Sequence, residues 1–277
     1  MNLPRELKRF GMRAPQELKK YRLVATGDGE PGTGKSDFCF RSAPRPLQVI
    51  NIDTNIDNIE DRYKDAGDIM IKDVEMPVNI DQDRDLATFQ DVHGCIVEGI
   101  ESGLFRTTMI DEGGQLYELA RRGYHGSLDF GDVPQSAFTI VNSKMRKIFR
   151  AAKAQRTNLF VIHRLKDERE DITTRNGKRS STPTGNRILT GWKDTLSESQ
   201  CHVRFEKIRH WTCPRSACSD GCKKPEQHSL MRFSMEIVKC SKNQAVEGIK
   251  FWGSEITFEN LGWTVYPNSM DVEGAWR

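Results

Sequence analysis

Gly29-Glu30-Pro31-Gly32-Thr33-Gly34-Lys35-Ser36 follows the β-rich run Tyr21–Thr26 (YRLVAT) and opens a short helical stretch from Lys35 to about Arg41. The eight residues match G-x-x-x-x-G-K-[ST] in full, with a strand before and a helix after. Glycines let the backbone curl until successive N–H groups point at one centre. The amino end of the following helix adds partial positive charge. Lys35 supplies a full cation, and Ser36 a hydroxyl able to ligate Mg2+. The stretch reads as a loop that wraps the phosphates of ATP or a related nucleotide. Its contact set is Gly29, Gly32, Thr33, Gly34, Lys35 and Ser36, with Asp37 beside them. A chance glycine turn is the bland alternative, and the full motif in this setting argues against it. Gly27-Asp28, between strand and motif, lengthens the loop without disturbing the spacing.

Downstream, apolar strands alternate with helices. Leu47–Ile52 (LQVINI) ends on Asp53, and Phe105–Ile110 ends on Asp111-Glu112. Leu159–Ile162 ends on His163, after a long helical stretch over Ser136–Gln155. Ile69–Val74 reads as a strand and Ala87–Gly99 as a helix. This pattern predicts an α/β fold with a mainly parallel sheet covered by helices. Parallel sheets present their chemistry at strand ends. Asp111 is therefore the candidate to complete a Mg2+ site with Ser36, and Glu112 the candidate general base. An acidic turn after a strand is the bland reading. Asp53 is a second acid at the same edge. His163 faces the terminal phosphate as a sensor or simply makes a local hydrogen bond.

Between Asn142 and Lys193 there are fourteen Lys and Arg against four Asp and Glu. Lys144, Arg146, Lys147, Arg150, Lys153 and Arg156 lie on the helix. Arg164, Lys166, Arg169, Arg175, Lys178, Arg179 and Arg187 lie in a polar stretch expected to be a mobile loop over residues 164–193. Such a loop suits a phosphate backbone, and equally a solvated surface. Net charge is only +3, so overall charge announces no nucleic-acid partner. Hydrophobic residues are 36% and charged residues 29%, enough for a core in a chain of 277 residues. No apolar run approaches a membrane span, and the first residues do not resemble a signal peptide. The expectation is a cytoplasmic protein.

The chain ends in β-like segments: His202–His210, Leu230–Lys239, Ile249–Phe258 and Trp263–Tyr266. The first two face each other across a tip carrying Cys213, Cys218, Cys222 and His228, with His210 a substitute for His228. Three thiols and an imidazole suit a structural Zn2+, although unligated surface cysteines fit too. Residues 1–20 read as a helical lead-in, 21–266 as the nucleotide-binding domain with the hairpin at 201–240, and 267–277 as a tail.

The ordered set of phosphate loop, Asp53 strand, Asp111-Glu112 strand, His163 strand, basic loop and β-rich end resembles the RecA-like P-loop ATPases. It looks most similar to small phage-encoded members, described as nucleotide-binding or AAA-type proteins, that assist recombination and single-strand annealing. The resemblance implies a RecA-like fold, an ATP–Mg2+ site governing binding of single-stranded DNA, and a homo-oligomer. It also implies a basic residue reaching a neighbour's site, for which Lys239 and Lys242 are candidates. The family's glutamate, two residues after the second strand's aspartate, is replaced here by Asn55, and an amide cannot take a proton from water as a carboxylate does. Either Glu112 has that task or hydrolysis is slow. A small-molecule kinase and a nucleotide-switched adaptor remain alternatives.

Overall fold

Every residue of four strands is buried: β1 (Val24–Gly29), β2 (Leu47–Asn51), β4 (Thr107–Asp111) and β5 (Asn158–His163). Strands without an exposed face need cover on both sides, which parallel sheets obtain from their crossover helices. The computed structural model describes residues 21–52, 56–127, 135–173, 179–211, 229–272 and 275–276. The chain is α/β, built on an eight-stranded mixed sheet that is mostly parallel. With β3 (Ile69–Asp73), β8 (Cys201–Trp211), β9 (Ser229–Cys240) and β10 (Lys250–Trp252), the order is β10-β9-β8-β1-β5-β4-β2-β3. Within this sheet the β8–β9 and β9–β10 pairings are antiparallel and the others parallel.

Side chains alternate between two cores. Leu23, Ala25, Val49, Phe160 and Ile162 join the core beneath α1 (Lys35–Ser42) and α7 (Phe258–Val265). Val24, Ile50, Leu159 and Val161 join the core beneath α3 (Gln82–Ser102), α4 (Gly113–His125) and α5 (Phe138–Gln155). That alternation is the period of two of a strand between covered faces. In α3, Phe89, Val92, Ile96, Val97 and Ile100 repeat at helical spacing and all are buried. Asp81 caps its start by accepting from Arg84 N, and Gly103 stops it at φ 68°. The remaining helices are α2 (Asp57–Tyr63) and α6 (Thr195–Glu198).

Phe38 fixes the helix that matters most. Its ring lies 5.2 Å from Phe160, 5.5 Å from Phe205 and 5.8 Å from Phe258, centroid to centroid. Burying a phenylalanine contributes roughly 1.5–3 kcal/mol. Here it ties α1, and with it Lys35 and Ser36, to β5, β8 and α7.

Four elements depart from the sequence reading. Gly27 and Asp28 belong to β1 and do not lengthen the loop. The stretch expected as a mobile loop is a two-stranded antiparallel hairpin, β6 (Leu165–Thr173) with β7 (Arg179–Leu189). The last expected strand is helical: Phe258, Leu261, Gly262 and Val265 are buried at spacings of three and four, and Thr257 caps the helix by accepting from Asn260 N at 3.1 Å. Burial at helical spacing there overrides the strand preference of Trp263, Thr264 and Val265. The strand expected over Ile249–Phe258 is confined to Lys250–Trp252. The lead-in at 1–20, Asp53, Asn55 and the cluster Cys213, Cys218, Cys222 and His228 lie outside the described residues. No helix among the described residues is long and apolar enough to cross a membrane.

Candidate functional site

The glycine loop leaves β1 and turns into α1 with Gly32 at φ 73° and Gly34 at φ 89°. Both lie in the left-handed region that only glycine enters without strain. Gly34 is the residue capping α1, and its carbonyl accepts from Phe38 N at 3.0 Å. Within the loop, Thr33 Oγ1 donates to Glu30 O at 2.8 Å. Lys35 Nζ folds back over the loop and donates to Gly29 O at 2.8 Å and Glu30 O at 2.9 Å. Burial lowers the lysine's proton affinity, and the carboxylates of Asp111 and Glu112 oppose that effect.

Gly32, Thr33, Gly34 and Lys35 line a cavity of about 730 Å3 at the carboxyl ends of the parallel strands. Asp111 ends β4 inside it, with Asp111 Oδ2 accepting from Ser36 Oγ at 2.5 Å. Burial pushes the Asp111 carboxyl up, against the pull of Ser36 and Lys35. Asp37 also lines the cavity, 3.3 Å from Arg62 of α2. The lining combines the polar groups Asp111, Glu112 and Arg164 with apolar side chains that include Phe205, Phe233 and Ile256.

Glu112 follows Asp111 through a cis peptide and caps α4; its side chain is only 3% exposed. Thr190 Oγ1 donates to Glu112 Oε1 at 2.8 Å, and the Arg164 backbone N donates to the same oxygen at 3.1 Å. Arg164 Nε lies 2.9 Å from Oε2. Burial raises this carboxyl, and the bonds from Thr190 and the Arg164 amide oppose the rise.

His163 does not line this cavity. It is 1% exposed, and its Nδ1 lies 2.8 Å from Thr190 O, a contact that makes it the donor. A Cβ on Gly113 would sit 2.8 Å from His163 Nε2, and one on Gly114 2.5 Å from Thr190 Oγ1. The paired glycines after Asp111-Glu112 thus let histidine and threonine pack onto the start of α4. Burial lowers the His163 pKa to about 4, so the ring is neutral near pH 7. Histidine orients Thr190, which in turn orients Glu112.

A second polar cluster lies beneath the loop. Asp28, fully buried, accepts from His202 Nε2 at 2.7 Å and from Arg204 at 2.9 Å and 3.1 Å. Burial alone would raise its carboxyl, but the bonds from His202 and Arg204 leave it below its ordinary value. The sequence reading missed Asp28, His202, Arg204 and Thr190. An acid at the end of an otherwise apolar strand, preceding the motif, is the one signal that could have marked Asp28.

The basic residues are partly committed elsewhere. Arg146 pairs with Asp194 and Glu198 of the α6 region, and Lys153 pairs with Glu198. Lys147, Arg150 and Arg156 are exposed. On the hairpin, Arg187 pairs with Glu30 of the glycine loop. Lys239 and Lys242 are exposed near the end of β9, where Cys240 pairs with the start of β8, at the sheet edge opposite the cavity. The structure therefore brings Gly32, Lys35, Ser36, Asp37, Asp111, Glu112 and Arg164 together, and leaves His163, Lys239 and Lys242 outside that cavity.

Two protein oxygens, from Ser36 and Asp111, converge beside the loop. That donor set fits Mg2+, which takes one or two carboxylate or hydroxyl ligands and completes its shell with water and phosphate. Among the described residues there is no cluster of three or more metal-ligating side chains. The chain matches neither the models of known protein families nor any curated protein sequence.

Proposed function

We propose that the chain is a RecA-like P-loop ATPase that binds ATP with Mg2+ and hydrolyses it, and that its nucleotide state governs binding to single-stranded DNA. It would act as a homo-oligomer in the cytoplasm, in recombination or replication of the phage type. The observation that carries the nucleotide reading is the contact of Ser36 Oγ with Asp111 Oδ2 in the cavity that Lys35 and Glu112 also line.

Each residue has a physical task. Lys35 exchanges two backbone carbonyls for phosphate oxygens, which are stronger acceptors because they are charged. Ser36 and Asp111 would hold Mg2+, which screens phosphate charge when bound. Glu112, raised by burial, accepts a proton from the attacking water as the bond to the departing ADP oxygen breaks. His163 and Thr190 hold that carboxylate in place. Phe233 and Ile256 supply apolar surface in the same cavity, and the nucleoside would rest against them. The β6–β7 hairpin supports a DNA contact because Arg187 joins it to Glu30 while Arg164 and Thr190, at its base, join it to Glu112.

The test is ATP turnover with Mg2+, measured with and without single-stranded DNA. Stimulation by DNA supports the whole reading. Turnover that DNA leaves unchanged removes the DNA half, and phosphate transfer to a nucleoside or metabolite replaces hydrolase with kinase. Tight ATP binding with negligible turnover under both conditions points to the adaptor.

A further inference from the structure

Arg164 and Glu112 are an unequal pair. The arginine side chain is 43% exposed at the cavity, while the glutamate is 3% exposed. The two carboxylate oxygens are also unequal. Oε1 accepts from Thr190 Oγ1 and the Arg164 amide, both fixed by the hairpin base. Oε2 meets the Arg164 Nε. Among the described residues Oε2 itself accepts no hydrogen bond, so what restrains it as a proton acceptor is the guanidinium charge beside it, which favours the ionised carboxylate.

We propose that Arg164 exchanges the Glu112 carboxylate for the terminal phosphate of a bound nucleoside triphosphate, and that this exchange frees Glu112 Oε2 to act as the base. The inference rests on the nucleotide reading above. Three features support it. Arg164 lines the same cavity as Lys35 and Ser36, so its guanidinium reaches the phosphate side from a flexible stem. A guanidinium can bind phosphate through two parallel hydrogen bonds, so exchange replaces an ion pair that lacks a hydrogen bond with a better-bonded one. Thr190 and the Arg164 amide stay on Oε1, so the released carboxylate keeps its orientation.

The exchange makes the site respond to the third phosphate. A diphosphate lacks the group Arg164 would take, so Glu112 stays paired. A ligand shifts such an equilibrium only through its different affinity for the two states. Arg164 is thus a source of preference for triphosphate over diphosphate and a control on when the base becomes available. The sequence reading offers His163 for this task, but its ring is buried against Thr190 and Gly113.

The experiment measures affinities for ADP and for a slowly hydrolysed ATP analogue, together with ATP turnover, in wild type, Arg164→Gln, Arg164→Lys and Glu112→Gln. Arg164→Gln should lower the preference for triphosphate about tenfold, leave ADP affinity unchanged and reduce turnover at least about tenfold. Arg164→Lys should recover part of the preference. Glu112→Gln should raise triphosphate affinity severalfold by weakening the competing partner, and the gain should vanish in the double variant. If wild type binds both nucleotides and Arg164→Gln keeps the wild-type preference, the exchange is refuted. A Glu112→Gln gain that survives without Arg164 also refutes it. If wild type binds neither nucleotide and Lys35→Ala changes nothing, the nucleotide reading itself has failed.

Discussion

Ser36 and Asp111, separated by 75 positions in the chain, meet at 2.5 Å between Oγ and Oδ2. The contact joins the first turn of α1 to the end of β4 and unites the glycine loop with the acidic strand end. Neither group alone distinguishes a nucleotide site from a glycine turn or an acidic turn. Their convergence beside Lys35 is what supports the proposed nucleotide site.

Lys35→Ala removes the only full cation of the glycine loop. ATP affinity should fall about 100-fold, as expected for losing charge-assisted hydrogen bonds. The melting temperature should change little, since the ammonium bonds only to loop carbonyls here. Titration calorimetry decides it, and unchanged ATP affinity would falsify the phosphate-loop reading.

Glu112→Gln keeps the shape of the side chain and removes its capacity to accept a proton. Turnover should fall by roughly 100-fold or more while ATP binding persists. Single-turnover measurements separate the two effects. Full hydrolysis by this variant would assign the proton acceptor to another residue.

Asp28→Ala should destabilise the protein by about 3–5 kcal/mol, because His202 and Arg204 lose a buried partner. The carboxyl's folded pKa lies below its ordinary value of 3.8. Its stabilisation is therefore present above that value and disappears as pH falls through the lower folded pKa. Urea denaturation at neutral pH checks the magnitude, and a loss under 1 kcal/mol would show that the cluster does not hold β1 to β8.

His163 predicts an acid sensitivity of opposite chemical origin. The folded ring titrates near 4, against 6.5 when unfolded, so the unfolded chain binds the proton more readily. Stability should be complete above about 6.5 and decline as pH falls towards 4, with a total effect on the order of 3 kcal/mol. His163→Gln should lack that portion of the slope. Equal slopes between pH 4 and 6.5 in the two proteins would contradict a neutral buried imidazole.

The sheet was largely legible from apolar runs, because a parallel strand covered on both faces has no polar side to disguise it. The hairpin β6–β7 was not legible. Its sequence, LKDERED followed by RSSTPTGNRIL, is polar because the described part of β7 is largely exposed, so it mimics a loop. The closing helix was misread for the opposite reason: its residues favour strands individually, and only the core under Trp276 and Phe38 reveals their helical spacing.

By itself, the sequence determined the glycine loop, its lysine and serine, and the strand-end carboxylates, because these depend on local spacing. The tertiary structure alone decided which strand end serves the site. His163 and Arg164 are adjacent, but successive residues at a strand end turn to opposite sides of the sheet. The histidine enters the core beneath α4, and the arginine enters the cavity with Glu112. Asp28 shows the same dependence, since its partners on β8 lie more than 170 residues away and become neighbours only when β8 pairs with β1.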